Sequence, residues 1–188
     1  MSYLNRILKL IISIESIIIS SLIQINIPLA KNFYNLDALQ VNWQIPVIIL
    51  LTIIFSGELI FKAYSLYIFI GLFLLPVFFD GGSLGYLLTP NFGYLLGIFP
   101  LIRVINILHK KNNIKLLEFF KYSIMALLIM HLIGISYFTL QFLLFSKFNL
   151  ILYSIGKYSL SKLPYQLMSL FPVIILLKII YKLEIIDR

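Results

Sequence analysis

Apolar residues fill this chain in long runs, and polar and charged residues gather in the short gaps between them. Crossing a hydrocarbon core about 30 Å thick takes roughly 20 mostly apolar residues in a helix. On that measure the sequence predicts six spans. The first covers residues 7–27 and is ended by Pro28. The second, 43–55, is short, and Ser56-Gly57-Glu58 separates it from a third over 59–79. The turn Asp80-Gly81-Gly82-Ser83 leads into a fourth, 84–108, irregular at its start where Pro90 and Gly93 interrupt it. The fifth, 122–146, carries no formal charge with its histidine neutral, and the sixth covers 163–180. The pattern predicts an all-α integral membrane protein, with residues 1–188 forming one domain and no solenoid repeat or low-complexity linker dividing it.

Composition sharpens this picture by excluding the soluble alternative. Of 188 residues, 61 % are apolar and only 12 % charged, and the mean hydropathy is +1.03. A soluble fold of this size needs a charged surface, whereas lipid tails solvate an apolar one. The 15 Lys and Arg against 7 Asp and Glu could mark a nucleic-acid binder, but cations placed in the gaps between apolar runs are better explained as topology signals. With the N-terminus in the cytoplasm, eleven cations fall inside: Arg6, Lys9, Lys62, Arg103, Lys110, Lys111, Lys115, Lys121, Lys178, Lys182 and Arg188. Four fall outside: Lys31, Lys147, Lys157 and Lys162. Both termini are therefore expected to be cytoplasmic. Arg6 and Lys9 before an apolar run imitate a signal peptide, but Glu15 within the run and the missing small-residue cleavage site predict a retained first helix.

Candidate chemistry is sparse. There is no cysteine, so disulfides, thiolate metal sites and cysteine nucleophiles are excluded. His109 adjoins Lys110 and Lys111 and reads as a polar residue at a helix end, whereas His131 lies within the fifth span, where a polar side chain is a functional candidate. The alternative for His131 is a neutral imidazole bonded to a neighbouring helix, and that reading carries more weight. Among the carboxylates only Glu15 is expected inside the hydrocarbon, near a helix end. No paired-carboxylate, HExxH, Ser-His-Asp or phosphate-loop pattern occurs. An enzyme is not expected, and neither is a pump that hydrolyses ATP by itself. What remains is a small bundle with polar and glycine-rich features at the outer ends of its spans, an arrangement suited to holding a small molecule between helices.

Two stretches carry a family likeness. The first is Gln24-Ile25-Asn26-Ile27-Pro28-Leu29, followed by Trp43-Gln44. The second is Leu75-Pro76-Val77-Phe78, then Gly81-Gly82-Ser83-Leu84-Gly85-Tyr86-Leu87-Leu88, then Pro90-Asn91-Phe92-Gly93-Tyr94-Leu95-Leu96-Gly97. In order and spacing these resemble the BioY family, the biotin-binding S components of energy-coupling-factor transporters. Independently of any family, Gly81 and Gly82 permit positive φ and close backbone approach, so that backbone N–H groups can face a ligand; a plain extracellular turn is the alternative.

The resemblance implies a protein of the bacterial plasma membrane that captures biotin or a biotin-like vitamin outside and delivers it inward. It implies a membrane coupling subunit and two cytoplasmic ATPases as partners. No cofactor is expected in this chain, since ATP is used by those partners. Candidate ligand residues are Gln44, Gly81, Gly82, Ser83, Asn91, Gln166 and Ser169. Where the family's first helix carries small residues that meet the coupling subunit, this sequence has Ser16 and Ser20, compatible with close helix approach but also with internal packing. The family's last helix opens with a Pro-Gly-Asp-x-x-Lys pattern whose Asp and Lys contribute to the biotin site. Here the stretch reads Pro164-Tyr165-Gln166-Leu167-Met168-Ser169, so both charges are replaced by neutral hydrogen-bonding groups. That departure keeps two alternatives open: an S component for another vitamin, and a non-transporting membrane scaffold that retains the fold.

Overall fold

The computed structural model describes residues 3–27, 39–79, 81–111 and 114–182. Its elements are α1 (Tyr3–Leu22), β1 (Gln24–Ile27), β2 (Leu39–Asn42), α2 (Gln44–Ile54), α3 (Gly57–Phe73), α4 (Pro90–His109) and α5 (Leu116–Leu144), followed by α6 (Leu150–Ile155), α7 (Leu163–Met168) and α8 (Leu170–Lys182). The last three follow one another within a single membrane-length run, Leu150–Lys182. That run, α4 and α5 are each long and apolar enough to cross a bilayer. The outer surface is apolar over much of its area: Ile11, Ile19, Phe69, Leu128, Leu132, Phe171 and Ile175 are all exposed. In water that surface would drive association, whereas in lipid it is the solvated face.

Several span boundaries differ from those the sequence predicts. The first helix stops at Leu22, and Gln24–Ile27 instead pairs antiparallel with Leu39–Asn42. The register sets Gln24 opposite Asn42, Ile25 opposite Val41 and Asn26 opposite Gln40. Alternating polar and apolar positions in both segments favour this ladder over another helical turn. The third span ends at Phe73 rather than 79, and α4 starts at Pro90 after a short 3-10 turn, Leu84–Leu88. Pro90 opens the helix rather than disturbing it, because proline lacks only an N–H that the first turn leaves unpaired. The largest difference is at the end of the chain, where helix begins at Leu150 and not at 163.

Chain direction alternates between two ends of the bundle. At one end, α2 breaks into α3 beside the start of α1 and the end of α4. A helix break inside a membrane leaves backbone groups that need partners. Here α4 supplies them: Asn106 Oδ1 accepts from Gly57 N at 2.7 Å, and His109 Nδ1 donates to the Ile53 carbonyl at 2.7 Å. The α4–α5 pair packs closely through glycines. A Cβ on Gly97 would lie 2.6 Å from the Met130 carbonyl oxygen, and one on Gly134 would lie 2.6 Å from the Tyr94 ring. Such small residues let helix backbones approach where no hydrophobic effect drives them together.

Candidate ligand-binding site

At the opposite end of the bundle, the segment after α3 folds back into the helices instead of leaving them. Phe78 and Gly81 exchange backbone hydrogen bonds of 2.8 and 3.1 Å, a tight reversal in which Gly81 takes φ +127° at no steric cost. The Val77 carbonyl accepts from the hydroxyls of Ser21 at 2.8 Å and Tyr67 at 3.3 Å. Tyr86 Oη donates to the Phe79 carbonyl at 2.8 Å. The Leu-Pro-Val-Phe segment is thus fastened to α1, α3 and the 3-10 turn, and it delivers the Phe79 ring to a cleft.

That cleft has a clear volume of about 650 Å³ including its mouth. Its apolar wall comes from Ile45, Phe79, Leu95, Ile98 and Met130, with the rings of Tyr86, Tyr94 and Tyr158. Its polar groups are four carboxamides, Asn42, Gln44, Asn91 and Gln166, and one cation, Lys162. An apolar cavity with a few converging polar groups is the usual form of a small-molecule site. Gln44 is 3 % exposed, and among the described residues its Nε2 has no hydrogen-bond partner. Its polar neighbour, the Tyr67 hydroxyl, is turned to the Val77 carbonyl. A buried donor without a partner is costly, and this one lines the cleft.

Behind Gln166 stands a fully connected polar chain. His131 Nε2 lies 2.7 Å from Gln166 Oε1, and His131 Nδ1 lies 3.1 Å from Ser159 Oγ. Ser159 Oγ in turn lies 2.5 Å from Tyr94 Oη. A carboxamide oxygen only accepts, so in the neutral imidazole Nε2 carries the proton. Nδ1 then accepts from Ser159, whose oxygen accepts from Tyr94. Ser159 reaches this position because Gly156–Leu160 is wound as a π turn, with Ser161 N bonded to the Gly156 carbonyl at 3.0 Å. Such turns shift a helix face and recur at functional sites. His131 is accordingly a hydrogen-bonded positioning group, 3 % exposed, and it does not line the cleft.

Of the residues expected at the ligand from the sequence, Gln44, Asn91 and Gln166 come together on the cleft. Gly81, Gly82, Ser83 and Ser169 do not line it. The Gly81 and Ser83 N–H groups are bonded to the Phe78 and Gly71 carbonyls. A Cβ on Gly82 would stand 2.6 Å from Pro76 Cα, so the loop acts on the cleft by placing Phe79. Ser169 is buried at the end of α7, its hydroxyl donating to the Gln166 carbonyl at 2.7 Å. On α1, Ser20 is 3 % exposed and turned into the bundle, while Ser16 is half-buried. Lys162 was not expected here, since a sixth span starting at 163 left it in a loop. Its spacing of four from Gln166 was the available signal. Among the described residues, no group of three or more His, Cys, Asp or Glu could hold a metal ion.

The BioY family profile matches residues 3–183. The chain belongs to the BioY family. A curated relative, "Probable biotin transporter BioY" of Lysinibacillus sphaericus, is 33 % identical over 95 residues, 50 % of this chain and 48 % of that protein. The chain thus matches about half the length of that relative. A solved structure, the S-component for biotin from an ECF-type ABC transporter, is similar with a TM-score of 0.69 and 18 % identity, covering 100 % of this chain and 96 % of the other. That likeness is one of fold. Within this BioY-family fold, the carboxamide-lined cleft is the feature that a ligand of matching chemistry would fill.

Proposed function

We propose that this protein is the biotin-capturing S component of an energy-coupling-factor uptake system in a bacterial plasma membrane. The observation that carries this reading is the cleft, where the Gln44 amide, without a partner among the described residues, stands with Asn42, Asn91 and Gln166 against apolar and aromatic walls. Biotin has a cyclic urea, which both donates and accepts, joined to an apolar ring and chain. Carboxamides match the first and the aromatic wall the second. The named relative and the fold neighbour are both tied to biotin, which supports the same ligand.

The chain binds and carries without catalysing a reaction. A membrane coupling subunit with two ATPases supplies the energy, and the S component reorients to release its cargo inward. Ser16 is the member of the Ser16/Ser20 pair that a partner helix can reach.

Equilibrium dialysis of the purified full chain in detergent against labelled biotin tests the ligand. Saturable binding of one biotin per chain, competed by unlabelled biotin and not by thiamine or riboflavin, is the expected result. Absence of biotin binding, or preferential retention of a chemically unrelated vitamin, would remove the assignment.

A further inference from the structure

The family pattern places an Asp where this chain has Gln166, and an ionised carboxylate can only accept. A carboxamide carries an acceptor and a donor, and which of them meets a ligand depends on what holds the other. We propose that His131 is the positioning residue that holds Gln166 by its oxygen, so that the cleft presents an N–H donor at this point and selects a ligand carrying an acceptor there, such as a carbonyl oxygen. The inference rests on the biotin reading above and names the hydrogen-bonding sense of one position in the same cleft.

Three observations carry it. First, Gln166 lines the cleft, whereas His131 and Ser159 do not, and Gln166 Oε1 lies 2.7 Å from His131 Nε2. The two polar atoms of a carboxamide point apart, so with the oxygen turned back to His131 the nitrogen is left for the cleft. Second, the polar chain behind Gln166 runs in one direction. The Tyr94 O–H donates to Ser159, the Ser159 O–H to His131 Nδ1, and the His131 Nε2–H to Gln166 Oε1, so each donor has its acceptor. The opposite direction would turn the Tyr94 O–H away from Ser159 and leave it without an acceptor among the described residues, which is costly. Third, the groups that hold His131 are themselves fixed. The Tyr94 ring stands edge-on to the imidazole with centres 5.5 Å apart, and a Cβ on Gly134 would lie 2.6 Å from that ring. Ser159 is set by the π turn Gly156–Leu160. An imidazole held at both nitrogens keeps one tautomer, and that tautomer sets the amide.

The chain has two histidines, so nitrogen NMR of the full chain in detergent, with isotope-labelled histidine, reads each imidazole separately. At about pH 8, above the ordinary histidine pKa of about 6.5, His131 is expected as the Nε2–H tautomer with and without biotin. His109, whose Nδ1 donates to the Ile53 carbonyl, is expected as the opposite tautomer, and the spectrum of His131→Leu assigns the two. An Nδ1–H tautomer at His131 overturns the inference, whether or not biotin binds. Isothermal titration with biotin reads the consequence. His131→Leu and Gln166→Leu should each weaken binding about two- to tenfold, the effect of one neutral hydrogen bond. The double variant should bind no more weakly than Gln166→Leu alone, because His131 acts through Gln166. Additive losses, or full affinity in His131→Leu, overturn the positioning role and leave the biotin reading intact. Absence of biotin binding by wild type removes the biotin reading, and the tautomer then decides the inference by itself.

Discussion

Gln44 and His131 are both polar side chains inside an apolar bundle, and they differ in whether the bundle satisfies them. His131 has a partner on each ring nitrogen, so its removal leaves the Gln166 carboxamide oxygen without that donor and the Ser159 hydroxyl with Tyr94 alone. Gln44 has an amide nitrogen with none among the described residues, so the removal of that nitrogen strands no described partner. Free energy follows the groups left unpaired rather than the group removed. His131→Leu is therefore expected to lower stability by about 1–3 kcal/mol, seen as an earlier unfolding midpoint in detergent. Gln44→Leu should leave that midpoint level or raise it while weakening biotin binding about two- to tenfold, the effect of one neutral hydrogen bond. The reverse pattern, an unstable Gln44→Leu with full affinity, would make Gln44 a packing residue. Both residues were visible in the sequence as polar positions at or within apolar runs. Which one was satisfied was not, because the partners come from helices remote in sequence.

Elements here are held together by what their residues leave out. Gly93 and Gly97 on α4 and Gly134 on α5 lie where the two helices touch, so their lack of a side chain sets the helix spacing. At Gly97 the obstacle to a Cβ includes the Met130 backbone, which cannot rotate away. Gly97→Ala should destabilise by about 1–3 kcal/mol, the usual cost of overpacking, and should also impair ligand binding, because Leu95, Ile98 and Met130 line the cleft beside it. Gly85→Ala serves as the comparison, since its nearest neighbour would be Ser83 Oγ at an ordinary 3.5 Å. Equal melting of the two variants would remove the argument from close approach. The glycines were legible as a family motif, but Gly93 read as an interruption of a helix when it is a contact surface. The start of the last helix was misplaced for a related reason. Residues 150–162 hold Lys157, Lys162, Gly156 and several Ser and Tyr, a composition that suits a loop until packing on α5 supplies partners for it.

For the whole molecule, the alternation of chain direction separates two ends. α4 alone, 20 residues long, spans about 30 Å, so the cleft at its start and the α2–α3 break at its end lie near opposite faces of a bilayer. From the cation split we propose that the break end faces the cytoplasm. The chain has no cysteine, so Ser83→Cys and Lys110→Cys each create a single labelling site, both exposed. In intact cells a membrane-impermeant thiol reagent should modify the first and spare the second until the cells are opened. Labelling of Lys110→Cys alone would invert the orientation. Asn113 and Asp80, polar residues of the two connecting turns in the sequence reading, lie outside the described residues.

By itself the sequence determined the membrane class, the all-α architecture and the family likeness, because hydropathy and the order of Gly, Pro and aromatic residues are local properties that survive without neighbours. Gln44, Asn91 and Gln166, picked out from the sequence, line one cleft. Only the tertiary structure decided that the glycine loop works through Phe79, that Ser169 does not reach the cleft, that Ser20 faces inward and that Lys162 stands beside Gln166. Each of those depends on which face of a helix meets another helix. In a chain apolar on nearly every side, hydropathy does not distinguish the face turned to lipid from the face turned to protein.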